Sequence, residues 1–189
     1  MSEFQQAARP ARLRLDEVEL LRRARNGDAN AFTELVRANE TRLRQLTYQL
    51  TRDSFAMEVL LQEALLRAYR GLQDFSPERE GSFIHWLCRI VYRVFVDEYR
   101  RQKRRPRETD LSHEMSDAAV TPVDEAVVRR LTLDRAIAEL PVDVRSAVLL
   151  VDLVGFDYAT AAELSGTTPG TIASRLHRGR AALLQALQQ

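Results

Sequence analysis

A chain of 189 residues with 45% hydrophobic and 29% charged side chains has the size and composition of one ordinary domain or two small ones, which excludes wholesale disorder. Its longest unbroken apolar run, Ala147–Val151, falls far short of the roughly 20 residues that a membrane span needs. The net charge of +1 hides an uneven distribution: residues 81–105 carry seven basic and two acidic side chains, 106–127 one and six, and 168–189 three and none. Two basic stretches around an acidic one point to two surfaces that meet a polyanion and a spacer that does not.

The first helix is expected from Asp16, with Leu20, Leu21 and Ala24 on its apolar face and Gly27 at its end. Asp28 can cap the next, on which Phe32, Leu35, Val36, Leu43, Leu46 and Leu50 recur at helical spacing. A third spans about Ser54 to Leu72. The polar run Gln73–Gly81 follows as a loop, and Ser82 is placed to cap a long helix that turns Phe83, Trp86, Leu87, Ile90, Val91 and Val94 inward. Opposite that face, His85, Arg89, Arg93, Asp97, Arg100 and Arg104 form a largely basic stripe able to track a phosphate backbone.

From Pro106 the periodicity vanishes, as in a segment that cannot bury enough surface to order itself. Thr121-Pro122 then opens a new helix, Pro141 another through Leu153, Asp157 a short one ending at Gly166, and Thr168-Pro169 the last. The expected fold class is therefore all-α. Two small helical domains are joined by a flexible linker: a tail at 1–15, a first domain at 16–105, an acidic linker at 106–122 and a second domain at 123–189.

Within the second domain, residues 156–180 have the pattern of a helix-turn-helix. Ala162 permits close helix approach, Gly166 suits a left-handed turn, and Ile172 with Leu176 anchors the second helix. Thr168, Thr171 and Ser174 can then reach base edges or phosphates, with Arg175, Arg178 and Arg180 near the DNA backbone. No metal site or cofactor is expected: Cys88 is the single cysteine, and His85, His113 and His177 are scattered. Lys103 is the single lysine, so no phosphate-loop motif exists. The opening residues lack a signal-peptide pattern, and the expected setting is cytoplasmic, without membrane insertion.

Five blocks of sequence resemble an extracytoplasmic-function (ECF) sigma factor of the sigma-70 class. Residues 61–72, 81–90 and 97–101 are similar to the family's second conserved region; Leu140-Pro141 and residues 170–180 are similar to its fourth. The resemblance implies a non-enzymatic subunit that binds core RNA polymerase, through the largest-subunit coiled coil and the flap, and promoter DNA. An anti-sigma factor is a further implied partner. Carried onto this chain, the core-polymerase surface falls on Leu61, Gln62, Glu63, Leu66, Arg67 and Arg70. The minus-ten surface falls on Phe75, Ser76, Glu80, Ser82, Arg89, Arg93, Asp97, Arg100 and Arg101, and the minus-thirty-five surface on Thr168, Thr171, Ser174, Arg175, His177, Arg178 and Arg180.

Val59 stands where relatives often carry an acidic residue, and Ala173 where a basic one is common. The rival readings are a stand-alone helix-turn-helix regulator, which would bind duplex without polymerase, and a helical enzyme, disfavoured because no catalytic constellation recurs at usable spacing.

Overall fold

The computed structural model describes residues 15–77, 82–104 and 125–188, all helix and connecting turn, with no strand among them. The expected tail up to residue 14, the acidic linker, the Thr121-Pro122 helix start and Glu80 lie outside the described residues. In the first half, α1 (Leu15–Arg25), α2 (Ala29–Arg37), α3 (Glu40–Thr51), α4 (Ser54–Gly71) and α5 (Phe83–Arg104) follow one another. In the second come α6 (Glu125–Glu139), α7 (Val142–Val148), a π-helical continuation Leu149–Val154, α8 (Tyr158–Ser165) and α9 (Pro169–Leu187).

Local chemistry sets most of the boundaries. Asp16 lies inside the first turn of α1, where its charge suits the positive helix end, rather than before it. Gly27, at φ +91°, turns the chain, and Asp28 then accepts the amides of Asn30 and Ala31 at 3.0 and 3.1 Å. The Arg23 guanidinium grips the same carboxylate and holds its pKa below the ordinary value. The apolar run from Phe32 to Leu50 is two helices. Asn39 breaks it by donating its side-chain amide to the Leu35 carbonyl at 2.8 Å. Asp53 caps α4, accepting Ala56 N at 2.6 Å.

A cluster of rings seats the turn after α4. Phe75 lies 5.0 Å from Trp86 and 5.9 Å from Phe83 between ring centroids, and Phe83 meets Phe32, which in turn meets Tyr69. In the second half, α9 crosses α7 at Gly179 with no room for a side chain. A Cβ there would lie 2.6 Å from a Val148 methyl and 3.1 Å from one of Val144.

The two halves share one apolar core and pack α3 along α7 and its π-helical continuation. Gly179→Ala is expected to destabilise the C-terminal half by about 1–3 kcal/mol, because branched side chains in a packed core absorb an added methyl poorly. Urea unfolding followed by circular dichroism measures this, and an unchanged midpoint would show that α7 and α9 have slack.

Candidate nucleic-acid and polymerase interface

Three surfaces carry the expected site residues. On α4, Met57, Leu60, Leu61, Ala64 and Ala68 face the core, so Leu61 is interior and not part of an outer contact surface. Gln62, Leu66, Arg67 and Arg70 are exposed on the opposite side. Glu63 and Arg67 pair at 2.8 Å one turn apart, and Arg67 also reaches Asp97 of α5 at 3.4 Å. The same face carries Phe55 at 80% exposure, with Val59, Leu66 and Tyr69 about half exposed. Four large apolar side chains on one outer face mark a contact surface, since a single helix rarely wastes that much apolar area on water. Phe55 and Tyr69 were missed as candidates, although their spacing from Gln62 and Leu66 places all four on one helical face.

The second surface is the loop with α5. Two of its expected members are interior: Phe75 is 2% exposed within the ring cluster, and Ser82 is 4% exposed. The apolar pull of Trp86 and Phe83 decides the position of Phe75, which seats the loop rather than presenting itself to a ligand. Ser76 is half-buried. Arg93 is exposed and, with Arg67, Gly71, Asp74, Trp86 and Ile90, lines a shallow cleft of about 250 Å³. Arg100 and Arg101 are exposed at the far end of α5, Arg101 paired with Glu98 at 2.7 Å. Arg89 is half-buried, its guanidinium 5.4 Å from the centre of the Phe156 ring.

The third surface is the helix-turn-helix. Asp157 caps α8 through Thr160 N at 2.7 Å, an interaction that lowers its pKa from the ordinary value. Gly166 closes α8 at φ +64°, and Thr168 caps α9 by accepting Thr171 N at 3.2 Å. Ile172 and Leu176 are fully buried, which turns Ser174, His177 and Arg178 outward. Two of the expected phosphate contacts are committed elsewhere. Arg175 is four-fifths buried against Asp143 of α7 at 3.0 Å, and Arg180 grips Asp152 through two nitrogens at 3.1 and 2.5 Å. Both pairs fasten α9 to the helix beneath it. Among the described residues no such pairing involves Arg178, which is exposed on the outward face of α9.

Among the described residues no group of histidine, cysteine and carboxylate side chains could hold a metal ion, and no helix is long and apolar enough to cross a membrane. Cys88 is buried, and desolvation pushes its thiol up to about 12. Phe75→Ala is expected to destabilise the N-terminal half by about 3–5 kcal/mol, the cost of emptying an aromatic site in a packed core. Thermal unfolding decides the matter, and a change under about 1 kcal/mol would return Phe75 to the list of ligand contacts.

Comparison with known proteins agrees with this geometry. Residues 35–105 match the family described as sigma-70 region 2, and residues 130–183 match sigma-70 region 4. The chain is 34% identical over 174 residues to the ECF RNA polymerase sigma factor SigM of Mycobacterium tuberculosis, covering 90% of this chain and 84% of that one. It is 28% identical over 187 residues to the ECF RNA polymerase sigma-E factor of Escherichia coli, covering 92% and 95%. The fold resembles CnrH, solved in complex with the cytosolic domain of CnrY, with a TM-score of 0.60 at 22% identity over 92% of this chain and 97% of that one. It also resembles RpoE of Bartonella quintana, solved with the anti-sigma factor NepR, at 0.60 and 24% identity over 83% and 96%. The chain belongs to the ECF sigma factors, regulatory proteins that direct transcription initiation together with RNA polymerase.

Proposed function

We propose that this sigma factor docks on the core enzyme through the outer face of α4, holds the minus-ten element with the loop after α4 and with α5, and reads the minus-thirty-five element with α9. The observation that carries the reading is the split of α9 into a buried face, Ile172 and Leu176, and an outward face bearing Ser174, His177 and Arg178 behind the capping Thr168. A helix held in this way offers its first three turns to a major groove, with hydroxyls and an imidazole for base edges and a guanidinium for phosphate.

On α4, the polar pair Gln62 and Glu63 lies among exposed apolar residues, the mixture expected of a surface that meets another protein. Two halves with separate tasks also suit the energetics. Separating about ten base-pair steps at roughly 1.4 kcal/mol each costs on the order of 14 kcal/mol, which a chain without a nucleotide-binding motif meets only inside the polymerase channel. The acidic linker would then thread the RNA exit path. An anti-sigma factor is proposed as a regulatory partner, as for the RpoE relative solved with one.

Replacing Gln62 and Glu63 together by alanine is expected to weaken capture by core polymerase at least roughly tenfold with helix content unchanged. Undiminished capture in a pull-down would remove α4 as the docking face. A wild-type chain that core polymerase does not retain, yet that binds promoter duplex alone, would favour the stand-alone regulator.

Arg178→Ala is expected to lower affinity for the upstream duplex and to reduce the log-log salt slope by roughly 0.9, the effect of one lost phosphate contact. Titrations at several salt concentrations read this slope. Arg175→Ala is expected to act differently, through loss of the Asp143 pair and a lower unfolding temperature. An equal slope change for both variants would contradict the division of roles on α9.

A further inference from the structure

The turn after α4 is held from outside by the end of α1. Arg25, the last residue of that helix, donates from Nε to the Leu72 carbonyl at 3.4 Å, and its guanidinium lies 5.8 Å from the centre of the Phe75 ring. In return the Gln73 side-chain amide donates to the Arg25 carbonyl. Both acceptors are carbonyls at helix ends, where partial negative charge and missing amides call for donors. In α1 the carbonyls of Arg22, Arg23 and Ala24 accept the amides of Asn26, Asp28 and Gly27, and Gln73 serves the next one. Leu72 is the C-cap of α4; its carbonyl accepts Phe75 N at 3.3 Å as well as the arginine. Two helix ends far apart in sequence are thus clasped by one side chain from each.

The clasp acts on one edge of the shallow cleft beside α5. Gly71 and Asp74, which flank the clasped Leu72 and Gln73, line that cleft opposite Trp86, Ile90 and Arg93 of α5. The edge is close to the indole: a Cβ on Gly71 would stand 3.8 Å from Trp86 Cζ2. Phe75, just beyond, is pressed between Trp86 on the inside and the Arg25 guanidinium on the outside. The α5 wall is set by the helix itself, whereas the Gly71–Asp74 edge belongs to a turn and takes its position from what holds that turn. A binding edge that must stay within about 0.5 Å of its productive position needs such support.

From this geometry we infer that Arg25 and Gln73 are positioning residues for minus-ten recognition: the end of α1 sets the Gly71–Asp74 edge of the cleft against Trp86, and base preference depends on that clasp. Neither side chain acts by touching the strand. The inference rests on the assignment of this turn and α5 to the minus-ten element. It gives a share in that task to α1, which carries none of the expected site residues.

The test has one arm on the free full-length chain and one on its complex with core polymerase. Trp86 is the single tryptophan and is 9% exposed, so its fluorescence reports the cleft directly. Arg25→Ala and Gln73→Met are each expected to raise acrylamide quenching of Trp86 at least roughly twofold at unchanged helix content. Arg22→Ala, which breaks the pair with Glu19 on the exposed side of α1, is expected to leave quenching unmoved. The double variant Arg25→Ala with Gln73→Met is expected to go no further than the larger single effect, because both contacts hold one turn.

With core polymerase bound, Arg25→Ala and Gln73→Met are each expected to weaken binding of a single-stranded minus-ten oligonucleotide at least roughly tenfold and to flatten its preference over strands with one base changed. Affinities for core and for the upstream duplex are expected to stay as in the wild type, and so is the log-log salt slope of strand binding. A slope lowered by roughly 0.7 for Arg25→Ala would place that guanidinium on a phosphate and overturn the inference. Trp86 quenching unmoved by both variants would overturn it too. Wild-type preference retained by both variants would overturn this inference alone, whereas a wild-type complex with no preference for the minus-ten strand would overturn the assignment of α5 and the inference with it.

Discussion

A helix that ends inside a protein leaves carbonyls without amide partners, and something must supply donors for them. Here the supply is reciprocal. Arg42 of α3 serves the end of the π-helical continuation of α7, and Arg145 of α7 serves the end of α3. The two helices lie along each other with each arginine reaching the terminus of the other, and Gln49 with Asp134 adds a further tie. What α5 faces, and what the helix-turn-helix faces, both follow from this pairing. It is made of carbonyl acceptors, the Asp134 carboxylate and one desolvated guanidinium, and it lies beside the apolar core that the two halves share.

Charge counted along the chain overstates the charge available to a ligand. Of the three arginines on α9, two pair with Asp143 and Asp152 on the helical segments beneath, and Arg178 is exposed. On α4 the Glu63–Arg67 pair extends to Asp97, which joins the expected polymerase surface to the expected DNA surface through one guanidinium. A substitution at Arg67 would therefore disturb both. The Ser174 hydroxyl and the His177 imidazole of α9 are exposed and, in the proposed reading, are the cleaner carriers of sequence discrimination.

Features decided by near neighbours in the chain were legible in the sequence. Asp28, Asp157 and Thr168 cap as expected because a cap needs only the next turn, and Gly27 and Gly166 adopt the left-handed backbone their positions require. The break at Asn39 was not legible, since the apolar period continues through it, while the Asn39 backbone leaves the helical conformation and its side chain bonds the Leu35 carbonyl. Nor were the positions of Leu61, Phe75 and Ser82, which tertiary packing turns inward. The commitment of Arg175 and Arg180 needed the fold, because their carboxylate partners are distant in sequence. The contacts of His85, Arg89 and Tyr92 with the second half had no local signal at all.

The central claim is that this chain lets core polymerase begin transcription at a promoter that the core alone does not use. Run-off transcription from such a promoter, with purified core enzyme in the presence and absence of the chain, tests it most directly. A transcript of defined start is expected only when both are present, with thymines of the minus-ten element becoming reactive to permanganate in the same reactions. A core enzyme whose output is unchanged by the chain, while the chain alone still binds the promoter duplex, would contradict it.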